Sequence, residues 1–508
     1  MTSTNVAAHA PTGMRLWNRE LATYPEHGTR RLYLLLVVLI TVALYYELYV
    51  GGGVATLMLP ELKIPFPVFV YVLAAGNLLG AFASLLAGLA DRFGRANLVV
   101  YGLLLVGLIT LFWMPNVKTT LEWGIATSAV AFVEGIVLVA TPALIRDFSP
   151  QVGRATAMGF WTVGPVLGSL AVSAVNTATL PYTHTWQSQF VICGVIGLVI
   201  FLLAFLFLRE LAPNLRDQVM VSERDRVLVE LKAKGLDIEA SLRNPWRQMM
   251  HLDVIASALG VSTLLLFYYT AVGFGIIYLV TVFQFSVADA NALSNWSWGV
   301  NALALIVAGL LSDRLRVRKP FMLVGGIGGV VTVWLYLIQA GGHPSFATLV
   351  LISCAQSVFV GAAYVAWMAS FTETVEARNP ALTATGLAIW GWLLRLVVTA
   401  CFAGLPAVVK SVTPLIEAPY VLAAYKQAVA ANTQPSAAIV EALGEIKQAA
   451  AAAPGEWQTW FWICIGGMVF FIATIFLMRG RWSPAAAKAD EEAHDAAVAR
   501  ELDALRRA

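Results

Sequence analysis

Three ionisable side chains stand alone inside long apolar runs: Glu47 in LYYELYVGGG, Glu134 in AFVEGIVL and Arg395 in GWLLRLVV. Charge is costly in a low dielectric, so such residues face a cavity, a partner or a transported ion. A carboxylate held there disfavours its charged form and is able to load and release a proton near neutral pH, which is the chemistry of a proton-coupling site. Arginine does not give up its proton. Arg395 therefore needs a counter-ion, and its planar fork of donors suits a carboxylate or a phosphate. Two readings compete for each residue. The glutamates are proton sites or structural groups hydrogen-bonded to a neighbouring helix. Arg395 holds a substrate anion or pairs permanently with Glu47 or Glu134.

The elements that position these residues are membrane spans. With 59% hydrophobic and 12% charged residues over 508, the chain carries more apolar surface than a soluble core hides. A net charge of +3, spread over many short loops, gives no basic patch for nucleic acid. Cys193, Cys354, Cys401 and Cys464 all fall in apolar runs and read as small hydrophobes, with no metal or disulfide framework. There is no phosphate-binding loop, nucleophile elbow or dinucleotide loop, so no cofactor is expected, an enzyme is disfavoured and the energy source is a gradient. The first thirty residues lack the apolar core of a signal peptide and read as a tail.

Stretches of about 20 apolar residues, enough to cross roughly 30 Å of hydrocarbon, begin near Leu32, Phe66, Asn97, Leu121, Ala155 and Gln189, and again near Asp253, Val287, Pro320, Phe346, Leu382 and Trp457. Between the two sets of six lie thirteen charged residues from Arg209 to Glu239. The expected organisation is therefore an all-α membrane protein of twelve helices in two pseudo-symmetric bundles. A tail (1–31) precedes the first bundle (32–209), a linker (210–251) leads to the second (252–479), and a tail (480–508) ends the chain. Arginines cluster before the first span and after the second, fourth and eighth, while the opposite loops are nearly bare, so both termini are expected in the cytoplasm. The exceptional loop 411–456 is Ala-rich with helical spacing. It reads as one or two short helices over the outer mouth or as a disordered spacer.

The halves also repeat in sequence. GLADRFGR (88–95) aligns with GLLSDRLRVRK (309–319) when Asp91 is placed over Asp313. PQVGRATAMGFWTVGPVLGS (150–169) aligns with NPALTATGLAIWGWLLRL (379–396), with Gly159 over Gly386 and Gly164 over Gly391. The second register sets Arg395 opposite Gly168, a departure of one half from the other. Parallel repeats of this kind mark two-bundle transporters with a site between the halves.

These loops resemble the major facilitator superfamily, whose loop between helices 2 and 3 reads G-x-x-x-D-R/K-x-G-R-R/K. Ala87 stands where the first glycine belongs, whereas Gly309 keeps it. The resemblance implies a conformational switch at Asp91, Arg92, Gly94, Arg95, Gly309, Asp313 and Arg314. A carboxylate at a helix end there accepts hydrogen bonds from a neighbouring helix N-terminus and pairs with arginine. It also implies that helices 1, 4, 7 and 10 line the central path. That places Glu47 and Glu134 on the inner walls of the first half and favours Tyr268, Tyr269 and Gln356 for substrate binding, joined by Arg395 and Trp392. Asn77 reads as a residue that satisfies a neighbouring backbone. The R-x-x-Q-G pattern of drug/proton antiporters is not kept, because positions 131–135 read AFVEG, although Gly164, Pro165 and Gly168 echo part of the fifth-helix antiporter pattern.

The resulting expectation is a monomeric inner-membrane secondary transporter, most simply a symporter, that moves a small organic anion of carboxylate type with protons. Arg395 holds the anion, and Glu134 and Glu47 carry or relay the proton. The competing expectations are a proton-driven exporter of hydrophobic or drug-like compounds and a non-transporting membrane sensor.

Overall fold

In hydrocarbon every backbone N–H and C=O must find its partner within the chain, and the apolar runs accordingly fold as helices. The computed structural model describes residues 19–84, 94–149, 162–212, 245–379 and 383–478, with residue 215 and a few residues between 482 and 500. The long helices are α1 (His27–Gly53), α2 (Phe66–Ser84), α3 (Arg95–Leu108), α4 (Thr120–Phe148), α5 (Gly164–Thr183) and α6 (Trp186–Phe207). The second half supplies α7 (Leu252–Phe283, broken at Leu265), α8 (Val287–Leu315), α9 (Lys319–Ile338), α10 (Phe346–Arg378), α11 (Thr383–Val408) and α12 (Ala437–Ile475). Eleven of these are long and apolar enough to cross a membrane. The twelfth, α5, is more polar because it carries Ser169, Ser173, Asn176, Thr177 and Thr179.

The start of α1 and the end of α12 lie on one side of the bundle, the tail side, and the 411–456 segment lies on the other, the hairpin side. Four helices that start on the hairpin side have a side-chain cap. Thr119, Ser286, Ser345 and Ser436 accept from the backbone N–H of Glu122, Asp289, Thr348 and Ile439, satisfying donors that a helix start leaves open.

The loop 411–456 is a helical hairpin. Its first arm is Val412–Ala430, and its second is the start of α12, which begins 20 residues before the expected Trp457. Thirty-nine residues of helix span about 58 Å, so α12 rises well past the bilayer. The hairpin's base is tied down. Glu456 Oε2 accepts from the backbone N–H groups of Lys410 and Ser411, both at 2.9 Å, and the Phe66 N–H donates to Thr413 at 3.1 Å.

The two halves close on one another along the hairpin side. Asn291 of α8, fully buried, donates to the Gly53 carbonyl at 3.1 Å and accepts from Asn176 of α5 at 3.2 Å. Asn295 donates to Thr177 at 3.0 Å. The Gly53 carbonyl is available because α1 ends there, before a short helix (Ala55–Glu61) sets off from Val54. Beside these bonds Phe274 of α7 meets Phe66 and Phe69 of α2 edge-on, at 5.8 and 6.1 Å between ring centroids. Among the described residues, the side-chain hydrogen bonds between the halves are confined to mid-span and the hairpin side.

On the tail side, residues flanking the first bundle fold back on it. β1 (Glu20–Leu21) pairs in parallel with β2 (Glu210–Leu211). Arg19 is 3% exposed, lies over the Phe205 ring and donates to Asn97 at 3.1 Å. Glu210 accepts from the Arg95 backbone N–H at 2.8 Å, placing a carboxylate at the N-terminus of α3. Gly94, just before it, has φ +87°, and a Cβ there would run into the Glu210 carboxylate.

Two stability outcomes follow. Gly94→Ala lowers the thermal stability of the detergent-solubilised protein by about 1–2 kcal/mol, the left-handed penalty of an L-residue, whereas unchanged stability would show that α3 starts without that backbone. Glu456→Ala removes a cap of about 0.5–2 kcal/mol and speeds amide exchange over 410–415. Unchanged exchange there would mean that the hairpin stands without it.

Candidate functional site

Glu134 and Arg395 each lie midway along their helix, and one tight crossing brings the helices together. A Cβ on Gly135 would overlap the backbone of Gly80, and one on Gly80 would meet Arg395 Nη1 at 2.8 Å. Glycine at both positions lets α4 and α2 touch backbone to backbone, with the guanidinium of α11 resting on the same spot. Asn77, one turn along α2, fastens that contact. Its side-chain N–H donates to the Arg395 carbonyl at 3.0 Å and to Thr399 Oγ1 at 2.9 Å, while its own carbonyl accepts from Arg395 Nη1 at 3.4 Å. Asn77 therefore satisfies a neighbouring backbone and also seats the arginine.

Arg395 is only half-buried, and that 3.4 Å bond is the single hydrogen bond of its guanidinium among the described residues. Among the described residues no carboxylate comes within 4.0 Å of it. Of the donors of a guanidinium, the rest have no partner among the described residues. Glu134 is 1% exposed and its Oε1 accepts no hydrogen bond. It lies in electrostatic range of both Arg395 and Glu47.

The placement of Glu47 on the central wall is corrected. Its carboxylate packs against Gly197 of α6, where a Cβ would overlap it, and both oxygens are buried without a partner. Glu47 thus occupies the seam between α1 and α6 inside the first bundle. The face of α1 turned to the other half carries Tyr45 and Tyr49 instead, rings 5.4 Å apart. The physical reason is the helix period. Positions two apart differ by about 200° around the axis, so Tyr45 and Tyr49 share a face and Glu47 takes the opposite one.

Tyr268 and Tyr269 follow the break in α7. There the Ser262 and Thr263 hydroxyls turn back on the carbonyls of Ala258 and Gly260, at 2.6 and 2.8 Å, a competition with the helix ladder that bends helices. The two rings meet edge-on at 5.1 Å, and Trp298 of α8 lies 5.4 Å from Tyr268. Tyr45 lies in electrostatic range of Tyr268, Tyr269, Glu134 and Arg395. These tyrosines therefore lie in the same neighbourhood as the arginine. Gln356 on α10 is 8% exposed and makes no hydrogen bond among the described residues. Trp392 stands apart, edge-on to Phe82 of α2 at 5.6 Å.

Of the expected switch residues, Asp91 and Arg92 lie outside the described residues. Arg95 binds both oxygens of Asp147, at the end of α4, at 2.8 and 3.0 Å. In the second half Arg314 is exposed and forms no ion pair among the described residues, and Gly309 has ordinary space around it. The pairing falls to Arg318, which meets Asp313 at 2.6 Å and Glu373 of α10 at 3.2 Å. Arg316, at the position of Gly94 in the repeat, also has a positive φ, 55°, but closes α8 in a left-handed turn where Gly94 precedes α3 with ψ 133°. Sequence reasoning missed Tyr45, Tyr49, Glu210, Asp147, Asn291 and Arg318. The i, i+4 spacing of Tyr45 and Tyr49 was the one signal that could have found any of them.

A family model described as Major Facilitator Superfamily matches residues 35–387. Among solved structures, a bacterial homolog of the human lysosomal transporter Spinster, inward-facing and unoccupied, aligns with a TM-score of 0.64 at 16% identity over 89% of this chain and 98% of that one. A D-xylose-proton symporter aligns at 0.59 and 16% identity over 84% and 96%, and the xylose transporter XylE from E. coli, in a partially occluded inward open conformation, at 0.56 and 14% identity over 74% and 91%. A search of the curated proteins found no match. At such identities the structures speak for the fold alone, and the family model covers more than half of the chain. The chain belongs to the Major Facilitator Superfamily and is a multi-pass membrane transporter of that family.

Proposed function

We propose that the protein moves a small organic anion across the cytoplasmic membrane, coupled to protons by alternating access, with both termini in the cytoplasm. The observation that carries this reading is Arg395, a permanent cation at mid-span whose donors meet, among the described residues, no carboxylate within 4.0 Å and a single carbonyl at 3.4 Å. Such a group is stable there when an anion completes it. Permanent pairing with Glu47 or Glu134 does not account for it in this conformation.

Proton coupling follows from position. An anion on Arg395 and a negative charge on Glu134 repel, so loading the anion favours a neutral Glu134, and anion and proton load together. Glu47, in range of Glu134 but outside the central site, is the second group of the relay. The D-xylose-proton symporter of like fold moves protons by its name, which supports coupling on this architecture. The hairpin-side contacts form one gate, and the Arg95–Asp147 and Arg318–Asp313–Glu373 clusters brace the other side. Export of hydrophobic or drug-like compounds draws on the same aromatic lining but leaves Arg395 without a task.

In proteoliposomes Arg395→Lys lowers anion transport roughly 10- to 100-fold, the loss of one charge-assisted hydrogen bond. Normal rate and affinity would end the anion role. Glu134→Gln abolishes proton-driven uptake while counterflow exchange persists, and equal loss of both would mark Glu134 as structural.

A further inference from the structure

Building on the anion reading of Arg395, we propose that Asn77 is a positioning residue of the anion site: it clamps the turn of α11 that carries the guanidinium against α2 of the other half, and so couples anion binding to closure of that seam. The side-chain amide of Asn77 spans one turn of α11, donating to the Arg395 carbonyl at 3.0 Å and to Thr399 Oγ1 at 2.9 Å. The contact is returned, because Arg395 Nη1 donates to the main-chain carbonyl of Asn77 at 3.4 Å. Backbone and guanidinium of Arg395 are thus both tied to one residue of the first half.

Each side of the seam is fixed to its own half. α2 lies close against α4, where a Cβ on Gly76 would stand 3.3 Å from that of Ala131, and one on Gly80 would stand 3.1 Å from the Ala131 carbonyl oxygen. α11 is held by Trp390 against Trp367 of α10, at 5.3 Å between ring centroids, and by Phe402 against Phe274 of α7, at 4.9 Å. Asn77 is therefore a polar link at mid-span between two packed bodies. Hydrogen bonds between helices in a membrane are of modest strength, so a clasp of this kind opens as the halves rock. While it is closed, the guanidinium is held on its flexible stem before an anion arrives, which lowers the ordering cost of binding. The anion then binds more tightly to the closed seam, and by linkage it favours that seam by the same factor. Glu134 adjoins Gly135, whose backbone crosses Gly80, so the clasp also keeps the cation and the buried carboxylate in fixed relation.

Binding of acetate, lactate, benzoate, succinate and citrate to the full chain in nanodiscs tests this, in the wild type, Asn77→Leu and Asn77→Asp. At least one carboxylate binds the wild type. Asn77→Leu, of similar volume but without donors, weakens that binding roughly tenfold in protein that remains folded, the loss of one or two net hydrogen bonds. Asn77→Asp sets a carboxylate beside the guanidinium and abolishes binding, while the thermal transition holds or rises. Closure of the seam is followed in Phe82→Cys/Trp392→Cys, whose native rings meet across it at 5.6 Å, with Cys193, Cys354, Cys401 and Cys464 replaced by alanine. A bismaleimide joins the pair, read as halves that stay together after the 210–251 linker is cut. The bound carboxylate raises this cross-linking, and adding Asn77→Leu cancels the rise. Unchanged affinity in Asn77→Leu, or cross-linking indifferent to the carboxylate, overturns the clamp and leaves the anion reading intact. Equal weakening by Asn77→Leu and Asn77→Asp marks Asn77 as a packing residue and overturns the clamp as well. Binding of none of the carboxylates to folded wild-type protein overturns the anion reading itself.

Discussion

A guanidinium in the middle of a bilayer is tolerated only where polar atoms or an ion compensate it, and the centre of this protein is arranged around that requirement. The glycines Gly80 and Gly135 bring α2 and α4 into backbone contact, and Arg395 of α11 rests against the same place. Asn77 then ties α2 to α11 by three bonds, two donated by its amide and one accepted by its carbonyl. The consequence is a cation fixed in position, most of its donors meeting none of the described residues, with a buried carboxylate, Glu134, in electrostatic reach.

The two faces of the bundle are held by different forces. On the hairpin side the halves meet through neutral amides, a freed helix carbonyl and phenylalanine rings. Each such bond is individually modest, about 0.5–1.5 kcal/mol net, so a contact set of this kind separates without stranding a charge. On the tail side the described ion pairs run within each half, Arg95 to Asp147, Arg318 to Asp313 and Glu373, and Arg378 to Asp253. Those pairs brace the ends of α3, α4, α8 and α10 as rigid bodies, which is what rocking of one bundle against the other needs.

The repeat is conserved in role more than in residue. Gly94 and Arg316 both have a positive φ, with different ψ, but only Gly94 makes room for a carboxylate, that of Glu210. Arg95 and Arg318 both pair with an acid on the fourth helix of their half, from positions that a strict alignment on Asp91 and Asp313 does not superpose. Gly168 lets α5 cross α1 closely, since a Cβ there would meet the Tyr45 side chain. Its counterpart Arg395 faces α2 of the opposite half instead. The substitution that breaks the pseudo-symmetry is thus also a contact between the halves.

Amino-acid order alone determined the helices, their number and their pairing into two halves, because the cost of an unsatisfied backbone in hydrocarbon leaves a run of 20 apolar residues little choice. It also exposed Glu47, Glu134 and Arg395, since charge stands out against an apolar background. It did not reveal which way those charges point or what they meet. Glu47 and Glu134 look alike as sequence, yet one is sealed against Gly197 and the other lies within reach of Arg395. Tyr45 and Tyr49 looked like span filler until α1 was rotated into place, and Glu210 looked like a linker charge until it capped α3. Lipid imposes the secondary structure locally, whereas the facing of a side chain depends on helix rotation and on glycine contacts between residues far apart in the chain. Only the tertiary structure decided those.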